Sequence, residues 1–113
     1  MNRVHLIGRL TADPEVRTTA HGDPKATFRL AVPKMADRDT AVFVSVTCFG
    51  RIALVVADHL TKGRRVAVEG RLDQREWLDD TGTRHERYGV VAGGIDFLDS
   101  PDRSNDTSEP VSA

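Results

Sequence analysis

The chain has 113 residues, of which 39% are hydrophobic and 29% charged, a composition that fits one small domain with a modest core. Its formal net charge is −1. No apolar run approaches the roughly 20 residues of a membrane-spanning helix, so the sequence predicts neither a signal peptide nor a membrane partner. The single cysteine, Cys48, excludes an intramolecular disulfide and favours a reducing cytoplasm as the location.

The charges are unevenly distributed along the chain. Residues 1–98 carry 15 Lys and Arg against 13 Asp and Glu, whereas residues 99–113 carry one Arg against four acids. The first segment is therefore mildly basic and the second acidic. Binding to nucleic acid depends on local clusters of charge and not on the net charge of the chain. This charge balance is therefore compatible with a nucleic-acid partner but does not by itself indicate one.

Short runs of alternating apolar and polar residues are separated by turns that contain proline or glycine, a pattern typical of an all-β barrel or sandwich. The predicted strands are 4–10, 25–32, 41–49, 65–78 and 84–92. Pro14, Pro24 and the polar segment 79–83 mark turns. Gly93 and Gly94 predict a kink before a last apolar stretch.

The apolar period changes between the third and fourth predicted strands. Ile52, Val56 and Leu60 recur at helical spacing, which predicts a helix over 51–61, and Gly63 is expected as its left-handed C-cap. Three strands, a helix and two further strands are the element order of a five-stranded OB-fold barrel. In that arrangement the helix lies between strands three and four, and a hairpin protrudes between strands four and five.

We expect residues 1–99 to form this domain. Residues 100–113 consist mostly of Pro, Asp, Ser, Asn, Thr and Glu, which cannot bury enough apolar surface to offset their ordering entropy. They are predicted to form a disordered acidic tail.

Aromatic residues stand on the polar rows of two predicted strands. In the third strand the even positions are apolar and predict the core-facing row. The opposite row reads Phe43, Ser45, Thr47, Phe49. In the fourth strand Val66, Val68 and Leu72 are expected to face the core, and Arg71, Arg75 and Trp77 the other side.

Flat rings among hydroxyls and guanidinium groups suit the stacking of nucleic-acid bases. The alternative is that these rings pack against a neighbouring subunit or a cross-strand residue. The residues alone leave both interpretations open.

The sequence offers no catalytic constellation. Four histidines are scattered without metal-ligand spacing, and no glycine-rich phosphate loop is present. Asp79 and Asp80 lie in a predicted turn, where solvated side chains explain them. We therefore predict a protein that is not an enzyme and has no catalytic residue, metal site or cofactor.

Seven short blocks resemble the bacterial single-stranded-DNA-binding protein (SSB) family, in the family's order and with compatible gaps. They are MNRVHLIGRL at 1–10, DPEVR at 13–17, ATFRLA at 26–31, FGR at 49–51, LTKG at 60–63, VEGRL at 68–72 and REW at 75–77. The resemblance implies an OB-fold homotetramer that binds single-stranded DNA in replication, repair or recombination. It also implies a location in the cytoplasm, with the nucleoid.

The resemblance carries the family's stacking positions onto Phe43, Phe49 and Trp77. It carries phosphate-contacting positions onto Arg51, Lys62 and Arg75. We add to these the basic residues on the face of Trp77 and in the first matching block, which are Arg71, Arg3 and Arg9.

Several positions depart from the family pattern. The segment 33–40 has no aromatic residue where many members have a stacking tryptophan, and Met35 is the nearest substitute. Glu76 is a negative charge next to Trp77, and Gly89 stands where the family has larger residues. The last residues, EPVSA, lack the acidic tip through which replicative members recruit partner proteins. We therefore expect no partners of that kind, and we expect the protein to be a short accessory paralogue.

Two rival functions remain open. One is an OB-fold module of the primosomal or RNA-binding type. The other is a structural subunit that uses the aromatic face for protein contacts and has lost nucleic-acid binding. Glu76 and the low net charge favour the second rival.

Overall fold

The computed structural model describes residues 1–98 and the backbone of residues 111–112. Within these residues seven strands and one helix are present. They are β1 (Val4–Leu10), β2 (Glu15–Thr18), β3 (Pro24–Pro33), β4 (Ala41–Phe49), α1 (Gly50–His59), β5 (Arg65–Leu78), β6 (Arg84–Phe97) and β7 (Val111–Ser112).

The five long strands close into a ring. Strand β1 pairs antiparallel with both β5 and β3, and the remaining neighbours follow in the order β5, β6, β4, β3. The β4–β6 pair is the parallel one. Helix α1 lies between β4 and β5 in the chain. The predicted five-stranded barrel, with its helix between the third and fourth predicted strands, is therefore confirmed.

The core consists of the inward-facing residues of the ring and one side of α1. Its largest fully buried side chains include Leu30, Ile52, Val46, Val56 and Ile95. Cys48 is also buried, and burial raises the pKa of its thiol to about 11. The thiol is therefore protonated at neutral pH, which fits the predicted role of a small apolar core residue.

Helix α1 is shorter than predicted at its C-terminal end. It ends at His59 because Leu60 adopts an extended conformation and is buried in the core, with 3% of its surface exposed. Gly63 does have a positive φ of 88°, but it lies in the following turn, where its N–H donates to the Leu10 carbonyl at 2.9 Å. The prediction that Gly63 caps the helix was wrong.

Strand β2 was not predicted. Its four residues are all exposed, so they show no apolar alternation, and they pair only with the edge of β3. Its presence shifts the numbering, so that the third and fourth predicted strands are β4 and β5.

The predicted protruding hairpin is formed by β5 and β6. Strand β1 accompanies β5 only as far as the Val4–Gly70 pair, and beyond it β5 pairs with β6 alone. Leu72 lies on the same side of β5 as Val66 and Val68, as predicted, but it is 48% exposed because β1 pairs with β5 only as far as Gly70. Leu72 therefore shares the face of Val66 and Val68 without being part of the core.

A β-bulge lies in β6 where the sequence predicts a kink. Glu69 pairs with Gly94 while the next residue, Gly70, pairs with Ala92, so Gly93 is an extra residue in the ladder. The inward-facing residues change from even to odd numbers across it. Val90 and Ala92 are buried before the bulge, and Ile95 is buried after it.

Most of the predicted tail, 100–113, lies outside the described residues, as does residue 99 at the predicted domain boundary. The backbone of Val111–Ser112 pairs antiparallel with Gly94 and Ile95 of β6. In the part of the chain that the structure describes, no helix is long and apolar enough to cross a membrane.

Closure of the ring requires a glycine at position 8. A Cβ atom there would overlap the carbonyl group of Ala31 across the β1–β3 contact. We expect Gly8→Ala to lower the free energy of unfolding by roughly 1–3 kcal/mol, because the two backbones must separate. Gly93→Ala is the matched control, since the nearest atom to its added methyl group is 3.9 Å away. Urea unfolding measures both, and equal midpoints for the two variants would contradict the close-contact explanation.

Candidate nucleic-acid interface

The pairing register brings the outward residues of four strands onto one continuous face. Ser45 of β4 lies opposite Arg29 of β3 and, on its other side, opposite Gly89 of β6. Gly89 in turn pairs with Asp73 of β5. Because side chains alternate along each strand, residues at even steps from this line share the face. We call it the aromatic face.

The three predicted stacking residues all lie on the aromatic face and are exposed. Phe43, Phe49 and Trp77 have 54%, 42% and 43% of their surface accessible. Phe43 and Phe49 stand six residues apart on β4, about 20 Å along an extended strand. Since β6 runs parallel to β4, the hairpin tip that carries Trp77 extends past the end of β4 nearer Phe43.

Two of the rings are already in contact with cationic or flat side chains. The Arg29 guanidinium lies over the Phe43 ring, 4.8 Å from its centroid. Trp77 stacks on the imidazole of His85, with ring centroids 5.4 Å apart and an interplanar angle of 17°. The Arg87 guanidinium lies 6.0 Å from the Trp77 ring. These contacts restrain the two rings, which remain about half exposed.

The charged residues of the aromatic face are mainly basic. Its lysine and arginine residues on β3, β5 and β6 are Lys25, Arg29, Arg65, Arg71, Arg75 and Arg87. Glu69 and Asp73 are the acids among them. A shallow cleft along the middle of the face is lined by basic and hydroxyl side chains, including Lys25, Thr47, Arg75 and Arg87. The protein's small net charge therefore conceals a locally positive surface.

The predicted basic residues separate into two groups. Arg71 and Arg75 lie on the aromatic face, and Arg51 lies in the first turn of α1, two residues after Phe49. Arg9 pairs with Ala31, which pairs with Phe43, so Arg9 stands two strands from Phe43 on the same side of the sheet. It lines a groove there with three further basic residues, Lys34, Arg38 and Arg65.

Lys62 is not brought to the aromatic face, whereas Arg3 lies at the edge of that face, beside Glu69. Lys62 follows the far end of α1 from Phe49, and its backbone N–H donates to the Asp13 carboxylate at 2.8 Å. Arg3 precedes β1 and forms an ion pair with Glu69 at 3.1 Å. Both side chains are exposed, but they lie apart from the row of aromatic rings.

Glu76 points away from Trp77. Adjacent residues of a strand face opposite sides, and Glu76 lies on the reverse side of the hairpin, where the Arg84 guanidinium pairs with its carboxylate. Gln74 on the same side donates to Glu86 at 2.9 Å. The negative charge next to Trp77 in the sequence is thus neutralised on the other side of the ribbon.

Four residues of the aromatic face were missed as site residues: Lys25, Arg29, His85 and Arg87. Lys25 and Arg29 alternate along β3 with the buried Ala26, Phe28 and Leu30, so both face outward. The sequence does not give the pairing register. That register places all four residues, including His85 and Arg87 of the hairpin, beside the aromatic rings.

The hairpin tip is held by one carboxylate. Asp79 Oδ1 accepts from the Thr81 hydroxyl at 2.6 Å and from the Thr81 and Thr83 N–H groups at 2.9 Å each. Asp79 Oδ2 lies 2.7 Å from Nε2 of His85. The Thr81 hydroxyl, followed by the His85 contact, lowers the pKa of Asp79 from 3.8 to about 2.

The described residues contain no cluster of three or more His, Cys, Asp or Glu side chains that is arranged to hold a metal ion. A closed five-stranded ring with an exposed aromatic and basic face is the architecture of an oligonucleotide-binding OB fold. The molecule is thus defined as a binding module of that class.

Comparison with known proteins gives the same assignment. Residues 1–98 match the model of the single-strand binding protein family. A single-stranded DNA-binding protein of Clostridium perfringens is 43% identical over 101 residues, covering 88% of this chain and 67% of that protein. One from Staphylococcus aureus is 40% identical over 116 residues, covering 98% and 73%.

A solved structure is also similar to this chain. It is the Plasmodium falciparum SSB in complex with single-stranded DNA, which superposes with a TM-score of 0.79 at 28% identity and covers 88% of this chain and 96% of that one. The chain belongs to the single-strand binding protein family.

The lowered pKa of Asp79 sets a pH window for the hairpin tip. The carboxylate stabilises the turn fully above its ordinary pKa near 3.8, and this stabilisation is lost as the pH falls through about 2. We expect the ¹³C carboxyl resonance of Asp79 to titrate near pH 2, and Thr81→Val to move the midpoint upward. Thr83→Val should move it less, because Thr83 donates to Asp79 through its backbone N–H. A midpoint that Thr81→Val leaves unchanged would show that the hydroxyl is not the main cause.

Proposed function

We propose that this protein binds single-stranded DNA without sequence preference and without catalysis, through the aromatic face. The observation that carries the proposal is the position of Phe43, Phe49 and Trp77 on one exposed and mainly basic surface. Membership of the single-strand binding protein family supports it. So does the similarity to an SSB whose solved structure contains single-stranded DNA.

Stacking explains why binding would tolerate any sequence. Every base has a flat π surface, and stacking on a protein aromatic is worth ~1–3 kcal/mol per base. Three rings then supply roughly 3–9 kcal/mol before the cost of ordering the strand. The Arg29–Phe43 contact, at 4.8 Å, keeps that ring in place before a base arrives.

The basic residues supply the second component. Arg71, Arg75 and Arg87 flank the path between the rings, and Arg51 stands at the end occupied by Phe49. Their contacts with phosphates release counterions, so affinity must fall as salt concentration rises. We propose that the strand runs from Trp77 past Phe43 to Phe49, with Arg9 and its basic groove as a side branch.

We further propose that the protein acts as a homotetramer in DNA replication, repair or recombination, in the cytoplasm and at the nucleoid. An exposed apolar position on the outer side of β1 supports the first part. The outer side of β1 carries Ile7, 48% exposed, opposite Ala67 of β5. His5, Ile7, Ala67 and Asp96 line a shallow groove there that a second copy would cover.

The rival of a structural subunit without nucleic-acid binding loses its main support. Glu76 lies on the reverse side of the hairpin and is paired with Arg84. The low net charge coexists with a basic aromatic face. The RNA-binding alternative remains distinguishable by experiment, because stacking alone does not separate DNA from RNA.

Loss of the aromatic rings should weaken binding strongly. We expect the double variant Phe43→Ala, Trp77→Ala to lose roughly 2–6 kcal/mol of affinity for an oligo-dT strand, because two stacking surfaces are removed. Fluorescence anisotropy of labelled oligo-dT at low salt measures it. Tyr88→Ala is the matched control, since Tyr88 is 55% exposed on the same hairpin but on its reverse side.

Two results would contradict the proposal. One is equal affinity for the double variant and the Tyr88→Ala control. The other is unchanged fluorescence of Trp77, the chain's one tryptophan, when the wild type is saturated with oligo-dT. Tighter binding of oligo-rU than of oligo-dT would favour the RNA-binding alternative.

The tetramer has its own test. We expect sedimentation equilibrium to give a mass four times the 12.4 kDa of one chain. Ile7→Arg should lower that mass, because it introduces a charge at the centre of the proposed contact. Val16→Arg, at an equally exposed site on β2, should leave it unchanged. A wild-type mass of 12.4 kDa, or equal masses for the two variants, would overturn this assembly.

A further inference from the structure

We infer that His85 is a positioning residue of the DNA-binding face, a rigid support on which Trp77 rests so that one broad side of the indole is presented to a base. The inference rests on the proposed function and deepens it. It adds a residue to the site that neither the sequence pattern nor the family resemblance pointed to.

The first observation is the ring geometry. Trp77 and His85 are paired across the β5–β6 ladder, and both side chains lie on the aromatic face. Their rings are nearly parallel, at 17°, with centroids 5.4 Å apart. An imidazole stacked in this way covers one side of the indole. A base can then use only the opposite side, which gives the order His85, Trp77, base.

The second observation is that His85 is itself held. Its Nε2 atom lies 2.7 Å from Oδ2 of Asp79. The other oxygen of that carboxylate accepts from Thr81 and Thr83, within 2.6–2.9 Å. The turn therefore fixes Asp79, Asp79 fixes the imidazole, and the imidazole fixes the indole. This chain of contacts ends at the solvent-exposed side of Trp77.

The surroundings explain why such a support is useful. Beyond the Asp73–Gly89 pair the hairpin is a two-stranded ribbon, and among the described residues no third strand pairs with it beside the indole. Arg87 is the cationic neighbour of the Trp77 ring, at 6.0 Å. Arg75, paired with Arg87, lies on the same side of the ribbon. Without His85 the indole would be free to change rotamer, and binding would have to restrict it at an entropic cost.

The test uses the intact chain and its single tryptophan. We expect His85→Ala to raise the acrylamide quenching of Trp77 in the free protein and to lower its fluorescence anisotropy, because the covered side opens and the ring moves. Affinity for oligo-dT should fall about three- to tenfold, the usual range for an aromatic pair. Glu86→Ala is the control, because Glu86 is the next residue and lies on the reverse side of the hairpin. It should change neither the quenching of Trp77 nor the affinity for oligo-dT.

A flat replacement separates support from simple folding. We expect His85→Phe to keep both the low quenching and most of the affinity, since a phenyl ring can stack on the indole although it cannot bond Asp79. If His85→Ala lowers the melting temperature so far that the hairpin is disordered, the test of the inference rests on the His85→Phe variant alone. Loss of affinity in a folded His85→Phe variant would overturn the inference.

The outcomes for the two proposals are distinct. If the wild type binds oligo-dT and His85→Ala binds it equally, with unchanged quenching of Trp77, the inference is wrong and the proposed function stands. If the wild type does not bind oligo-dT, the proposed function is wrong, and with it the role of His85 toward a base. Quenching would then report only the contact between the two rings.

Discussion

The pairing of β1 with both β3 and β5 is the constraint on which the rest of the structure depends. It turns a row of short strands into a closed ring, so each strand has one side in the core and one in solvent. Closure brings the backbones of Gly8 and Ala31 together so closely that a side chain at Gly8 is excluded. Once the ring is closed, the register of every other pair is restricted, and that register determines which side chains share the aromatic face.

The hairpin shows how the same constraint produces two different surfaces from adjacent residues. One side carries Trp77, Arg75 and Arg87, and the other a network of Gln74, Glu86 and the Glu76–Arg84 pair. The acids are satisfied by neighbours on their own side. A whole-chain charge of −1 therefore says little about either surface, because the alternation of the strand sorts the charges by side.

Much of this arrangement follows from the sequence, because period-two alternation is a local property. It correctly put Phe43 and Phe49 on the outward row of one strand and Trp77 with Arg75 on that of another. It failed where an outcome depends on distant contacts. Leu72 has the pattern of a core residue, but whether a core exists beside it depends on where β1 stops.

The partners of the rings were beyond the sequence for the same reason. His85 lies next to Trp77 because of the turn geometry, and Arg29 lies over Phe43 because of the β3–β4 register. One sequence does not specify these offsets. The exposed strand β2 was missed because it has no apolar alternation to detect. In each case the pairing of strands, and not the preference of single residues, decided the result.

The bulge at Gly93 divides β6 into two segments of opposite parity. Before it, even-numbered residues such as Val90 face the core, and after it odd-numbered ones such as Ile95 do. The extra residue lets the hairpin present its basic side outward while the rest of β6 still completes the barrel wall. In a chain shorter by one residue at this point, the parity could not change. Either the guanidinium groups of the ribbon would face the reverse side of the hairpin, or the aliphatic groups of the barrel wall would face solvent. The spare glycine is thus what allows one strand to serve a binding surface and a hydrophobic core at once.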